Sequence, residues 1–584
     1  MLLFIRKMKK TLFSFLLMLM ASLTAQADVD INTTNFPDVN FRNHMLSLYP
    51  EGYMTTEQVN SLTELDVRNM NIQSLQGVEL LNGLKTLDCS NNIIVSLDLR
   101  NNAELTSLSC SNNNLYTLNV SSNNKLTYLN CSANKLTTLR IIGLSKLEDF
   151  DCHDNQIKSI DWPTASTSAL KTIDCSGNAF TSLVLNNYHD LTSLVARINT
   201  SLSSVNCSCN ALTTLDLTGC TAMKQLWCYL NYSLSGITGL ADLTGLTLFV
   251  LNDCSFCSLD VSPFTRMTFL NCSNNQLTTL DLSAQTALQK LYCYGNSLRS
   301  LDLTGKAQLQ ILHCYDNQLL ALYVQGCSSL YDLRCYGNSI TEISNLADCT
   351  ALTSIDCHNN RINDLSAVNQ MTDIRSINAS NNYLESFSLS NKSSLYNLNL
   401  MECPYLTKIW VYNNPMLGSL ICNSCPLLTE LYCVKNDLST LDVSGCDALN
   451  NITCTHNKLS GEGMTTLVNS LPRRSASESG SLYVLDRYDE TNTITDDQIL
   501  IAQRKHWQSK KFNGYMWETM TVVLPGDMDG NGEITISDVS DLIDLILSGN
   551  ATANAYPAAD VNGDGQINIV DVSELIDVLL NKQV

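Results

Sequence analysis

The chain has 584 residues, 44% of them hydrophobic and 16% charged, with a formal net charge of −21. That balance describes a folded protein and excludes a disordered one. The excess of acid argues against nucleic acid as a partner and favours cations or basic surfaces.

Residues 1–27 read as a secretory signal. Arg6, Lys7, Lys9 and Lys10 form its basic region, residues 12–23 its apolar core, and Ala25-Gln26-Ala27 a small-residue cleavage site. The apolar run is short for a membrane span, and no later segment is long and apolar enough for one. The expectation is therefore cleavage near Ala27 and a secreted or cell-surface protein that does not span the membrane. Residues 28–61 read as an N-terminal cap. Asn35-Phe36-Pro37-Asp38 opens a helix through Tyr49, and Thr55-Thr56-Glu57-Gln58 has capping-box spacing for a second one.

Residues 62–471 repeat one pattern. Leu105, Leu108, Cys110, Asn113, Leu115, Leu118 and Val120 recur 21 residues later as Leu126, Leu129, Cys131, Asn134, Leu136, Leu139 and Ile141. A fixed period of this size marks a solenoid, in which stacked coils lengthen a single core. The spacing LxxLxL followed by Asn or Cys resembles the leucine-rich repeats, specifically the class with nested ten- and eleven-residue units. That resemblance implies a mainly parallel-β solenoid with short helical caps. Around Leu191 one extra half-unit appears, and Leu395, Leu406, Leu417 and Leu428 step by eleven. An odd half-unit must either loop out or exchange the two sides of the coil. Exchange would put Cys207–Cys357 on the opposite sheet from Cys89–Cys175.

The 24 cysteines of an exported chain would ordinarily suggest disulfides. Here fourteen, from Cys89 to Cys454, share one inward repeat position, which predicts a buried thiol ladder of small hydrophobes. Asn113, Asn134, Asn155, Asn178, Asn275, Asn296, Asn317, Asn338 and Asn360 read as structural, their amides serving backbone groups freed at each turn.

The outward positions beside the cysteines change character along the chain. Early coils carry Ser107, Ser109 and Asn130. Later ones carry Trp227 and Tyr229, Tyr292 and Tyr294, His313 and Tyr315, Arg334 and Tyr336, then His358. Adjacent strands are about 4.8 Å apart, so Tyr294, Tyr315 and Tyr336 should form a stripe, with Trp410, Tyr412 and Tyr432 as its extension. Such side chains are the usual anchors of recognition surfaces; the competing reading is stacking that only stabilises the sheet.

Residues 472–523 read as a C-terminal cap, with a strand at 481–485 and a helix from Thr495 to about Trp507. Residues 524–584 follow with only Leu524-Pro525-Gly526 as a joint, so this last domain should lie against the solenoid. It contains DMDGNGEITISD and, 33 residues later, DVNGDGQINIVD. Asp527, Asp529, Asn531, Glu533 and Asp538 in the first, and Asp560, Asn562, Asp564, Gln566 and Asp571 in the second, have the spacing of calcium loops. Alternate oxygens converge, the seventh residue offers its carbonyl, and Gly532 or Gly565 permits the turn. Two calcium ions are expected. Asp at the twelfth position and a helix after each loop resemble a type I dockerin, a small all-α module. That resemblance implies docking to a cohesin-like module on a scaffold or surface protein. Ile536-Ser537 and Ile569-Val570 are more apolar than the hydroxyl pair usual there.

No catalytic set emerges. His153, His313 and His358 neighbour cysteines in sequence, but successive strand residues point to opposite faces. Cys254 and Cys257 have metal-like spacing without a second pair, and Asp149, Asp151 and Asp174 share a face with nothing to raise a pKa. The sequence thus reads as a non-enzymatic exported binding protein. An adhesin recognising an extracellular protein is the first alternative, and an accessory glycan-binding part of a polysaccharide-degrading complex the second.

Overall fold

A computed structural model describes residues 28–549 and 551–581 of the chain. The expected secretion signal lies outside these residues. The chain divides at Leu277 into two compact units, each built from short parallel strands.

In the first unit, Asp38 caps helix α1 (Val39–Leu48) by accepting from the Asn40 and Phe41 amides. Thr55 and Gln58 close a capping box on α2 (Thr56–Ser61). Coils then stack in strict register, Leu65 beside Leu87, Leu108, Leu129, Phe150, Ile173, Leu194 and Leu215, forming an eight-stranded sheet. Each strand is only about three residues long, because one inward leucine between two outward residues is all that a coil of this length can present. Ser107–Ser109 shows the pattern, with Leu108 fully buried between its half-buried neighbours. The second half of each coil contributes another sheet, in which Ser182–Val184, Ser204–Asn206, Gln225–Trp227, Leu248–Val250 and Phe269–Asn271 pair in parallel.

The extra half-unit at Leu191 does exchange the two sides. Cys89, Cys110, Cys131, Cys152 and Cys175 follow strands of the eight-stranded sheet, whereas Cys207, Cys228 and Cys272 follow strands of the other one. Cys175 and Cys207 stand 32 residues apart, one and a half coils. A second exchange occurs within the second unit. Cys293, Cys314, Cys335, Cys357 and Cys422 follow a run of parallel strands from Lys290–Tyr292 to Ser419–Ile421. Cys433 and Cys454 instead follow a seven-stranded sheet that begins at Ser386–Ser390 and ends at Trp517–Met520.

The interior is satisfied coil by coil. Asn134 donates to the carbonyls of Cys110 (2.9 Å) and Cys131 (3.1 Å) and accepts from the Leu115 amide (2.9 Å), tying each turn to the one before. Cysteine takes the same role at other turns, where the Cys220, Cys327 and Cys446 thiols donate to carbonyls of the preceding coil. Of the 24 free cysteines, all but Cys209 and Cys257 are buried. Burial pushes the Cys110, Cys207 and Cys272 thiols up to about 12. A raised pKa leaves less thiolate, the reactive form, and a buried sulfur also lacks access. Iodoacetamide should therefore alkylate Cys257 and, more slowly, Cys209 in the native protein even at mildly alkaline pH. The other thiols should react only after denaturation, as peptide mass spectrometry would show.

At the C-terminal end the structure departs from the expected elements in two places. Residues 461–470 do not continue the coil pattern but form helix α3 (Gly461–Ser470), which buries Met464, Leu467 and Val468 in place of a second half-coil. The next helix, α4 (Asp496–Arg504), has the expected capping box of Thr495 and Gln498 but ends before Trp507. His506 adopts a positive φ of 59°, and Trp507 is already the first residue of a strand paired with Gly480–Leu485. Two helices, α5 (Ile536–Leu547) and α6 (Ile569–Asn581), close the chain around Val539, Leu542, Ala559, Val572 and Leu575.

Candidate functional site

The expected stripe forms in the second unit. Parallel pairing aligns Tyr292 with His313, His313 with Arg334 and Arg334 with Asp356. Two residues further along each strand, Tyr294, Tyr315, Tyr336 and His358 stack as a ridge, with ring centroids 4.3, 4.4 and 4.4 Å apart and interplanar angles of 7°, 10° and 17°. These separations are slightly less than one strand spacing, so each ring covers the face of the next. The ridge shows its surroundings ring edges and hydroxyls, while the π faces of its inner members are already used. Burial first, then Tyr294 and Tyr336, push the Tyr315 hydroxyl well above the usual phenol range, so it stays a neutral donor.

A charged cluster runs beside the ridge. Asp332 lies 3.0 Å from His313 Nε2 and 3.4 Å from Arg334 Nε. Burial works against its charge, yet the His313 hydrogen bond and the Arg334 guanidinium hold its carboxyl below the usual range. Arg334 remains half exposed. Trp410, Tyr412 and Tyr432 do not extend this ridge. They belong to the seven-stranded sheet of the second unit, because the eleven-residue steps have exchanged the sides by then. Trp227 and Tyr229 lie in the first unit, outward and half buried.

His153 and His358 pair with Asp151 (2.7 Å) and Asp356 (2.6 Å). Asp151, His153 and Asp174 converge, but Asp151 is already the partner of His153. Asp149 accepts from the Thr172 hydroxyl.

The two acidic loops fold alike. Asp527 accepts from the amides of Asn531 (3.1 Å) and Gly532 (2.7 Å), as Asp560 does from Asp564 (3.0 Å) and Gly565 (2.9 Å). Asp538 accepts from Met528 and Thr535, and Asp571 from the equivalent Val561 and Asn568. The turns require glycine, since Gly532 and Gly565 both have φ of +82°. In the first loop, carboxylate oxygens of Asp527, Asp529 and Asp538 lie within 4.8 Å of one another. Burial, then the neighbouring Asp529 and Asp538, push the Asp527 carboxyl up, a conflict that a divalent cation would remove. In the second loop Asn562 replaces the middle carboxylate. The donors are hard oxygens in both, which is the chemistry calcium takes.

The first loop also touches the solenoid's end. Arg504 donates to the Gly532 carbonyl (2.6 Å), and Arg473 lies 3.4 Å from Glu533. On the helices that follow, residues 33 apart form matching exposed stripes. Ile536, Ser540, Ile543 and Leu547 on α5 correspond to Ile569, Ser573, Ile576 and Leu580 on α6. Ile536 and Leu547 are 82% and 78% exposed, Ile569 and Leu580 68% and 59%.

Parts of the chain are similar to known families and structures. The family model of the dockerin type I domain matches residues 525–580, and that of leucine-rich repeats, in two copies, matches residues 328–370. Similar solved structures include the functional domain of InlJ from Listeria monocytogenes, described as including a cysteine ladder. It is 23% identical, covers 76% of this chain and 80% of its own, and has a TM-score of 0.26. An internalin (inlF) from the same species is 19% identical over 66% of this chain and 98% of its own, with a TM-score of 0.27. YopM from Yersinia enterocolitica is 21% identical over 68% and 84%, with a TM-score of 0.30. No curated protein sequence matches the chain. Among the described residues no helix is long and apolar enough to cross a membrane.

Proposed function

We propose that this leucine-rich repeat protein, which carries a C-terminal type I dockerin domain, is an exported, non-enzymatic binding protein. Its ridge of Tyr294, Tyr315, Tyr336 and His358, with Tyr292, His313 and Arg334 beside it, recognises an extracellular protein. Its dockerin, with one calcium ion in each loop, docks the chain to a cohesin-type module. The ten loop residues named from the sequence are the proposed ligands, Glu533 and Gln566 through their carbonyls. Trp227 and Tyr229, in the first unit, are proposed as ligand-binding residues in their own right. The proposed organisation is signal (1–27), N-terminal cap (28–61), repeats (62–471), C-terminal cap (472–523) and dockerin (524–584).

The stacking of the ridge carries the choice of a protein over a glycan ligand there. A sugar ring binds through its C–H groups on an open aromatic face, and the inner ring faces here are covered by one another. Edges, hydroxyls and a half-exposed arginine suit the mixed polar and apolar surface of a protein. The test is an array of extracellular proteins probed with the full chain and with Tyr315→Ala and Arg334→Glu variants. A partner bound by the native chain and weakened at least tenfold by each variant is the expected result. Binding that both variants retain would show that the ridge only stabilises its sheet.

A further inference from the structure

We infer that a second binding site, for a neutral oligosaccharide, lies on the seven-stranded sheet of the second unit, between Tyr432 and Tyr483. This site does not rest on the reading of the ridge. An open cleft of about 810 Å³ is lined there by Tyr432, Asn451, Thr453, Tyr483, Asp486 and Trp517, among others.

Its shape follows from register. Tyr432 pairs with Thr453, and Thr453 with Tyr483, so the three side chains occupy one row on consecutive strands. In the ridge every strand of the row carries a ring, and the rings close on one another. Here the middle position is threonine. The two tyrosines are therefore rooted two strand spacings apart, about 9.6 Å, over a small hydroxylated floor. Contacts of about 3.5–4.0 Å on either side take 7–8 Å of that width. The remainder, about 2 Å, takes a puckered ring together with its out-of-plane substituents and exceeds what a flat aromatic ring needs.

Other side chains already pack on both tyrosines. Lys510, in register with Tyr483 on the next strand away from Thr453, places its Nζ 5.9 Å from the Tyr483 ring centroid. Trp517 meets Tyr483 edge to face, at 4.9 Å and 79°. Tyr412 meets Tyr432 in the same manner, at 5.8 Å and 79°, from the strand on the far side. What is left open is the gap above Thr453. The charged groups around it have both signs, Asp486 and Asp489 against Lys435 in the lining and Lys510 at the Tyr483 ring, and Asn451 and Thr453 add an amide and a hydroxyl. Such a set suits a ligand rich in hydroxyls, which donate and accept, and gives a charged ligand no net advantage.

The experiment titrates the full chain with cellohexaose, xylohexaose, mannohexaose and laminarihexaose by calorimetry. At least one should bind. Thr453→Tyr, which fills the gap as Tyr292 fills the equivalent strand position elsewhere, should weaken it at least tenfold, and Tyr483→Ala should do the same. Thr453→Ser should keep the affinity, showing that the row still folds. Absence of binding by all four sugars at millimolar concentration overturns the proposal, as does binding that survives Thr453→Tyr.

Discussion

Removing calcium from the full chain should unfold residues 525–580 while the repeats stay folded. The module's own core is small, five buried apolar residues with partly buried neighbours around them. Against it stand two loops that gather carboxylates, in the first of which Asp527 and Asp538 are buried. A cation present at a hundred times its dissociation constant stabilises the fold it binds by about 2.7 kcal/mol per site. Two sites together approach the lower end of the stability of an ordinary domain, about 5 kcal/mol. Hydrogen exchange with and without EDTA should therefore show the amides of α5 and α6 losing protection by at least a hundredfold. Amides of strands such as Ile311–His313 should be unaffected, since they depend on coil stacking alone. Asp538→Ala should reproduce about half of the effect in the presence of calcium. Equal exchange in both conditions would show that the loops are only solvated acidic turns.

The legibility of this protein in its sequence follows the repeat. One residue out of register costs a solenoid its core, so the inward positions must be written almost without variation, and Leu108, Cys110 and Asn113 could be placed from spacing alone. The exchange of sides was visible as a choice, because an extra half-unit is a counting fact. Which outcome occurs depends on whether the second half-coil can serve as the cysteine-bearing one, and Ser182–Val184 pairing with Ser204–Asn206 shows that it can. The ridge does not extend to Trp410 for the same reason: the second exchange puts Trp410 on the seven-stranded sheet. Helix α3 was missed because Met464, Leu467 and Val468 fit a helical face while Leu459 and Leu471 continue a leucine spacing. The slot at Thr453 is harder to read still. It consists of a residue that is absent from a row, and the row becomes apparent only when Gly480–Leu485, far along the chain, is known to pair with Asn451–Thr453.

Substituting one of the dockerin's two apolar stripes should barely alter docking, whereas substituting both should abolish it. Ile536 and Leu547 on α5 and Ile569 and Leu580 on α6 are the same residues of a duplicated unit, and all four are exposed. Large exposed aliphatics on a small domain aggregate or bind, and helical spacing collects them into a stripe. A partner able to use either stripe loses only the statistical factor of about two, about 0.4 kcal/mol, when one is removed. When both carry aspartate, apolar contacts are lost and charges are buried, a cost of at least about 4 kcal/mol or a thousandfold in affinity. The contact of Arg504 and Arg473 with the first loop leaves α5 open, so the solenoid does not by itself select one stripe. Surface plasmon resonance of the full chain against a panel of cohesin modules, with Ile536→Asp/Leu547→Asp, Ile569→Asp/Leu580→Asp and the fourfold variant, distinguishes the cases. If one pair alone abolished binding, the duplication would be serving calcium and the fold, with only one face left for the partner.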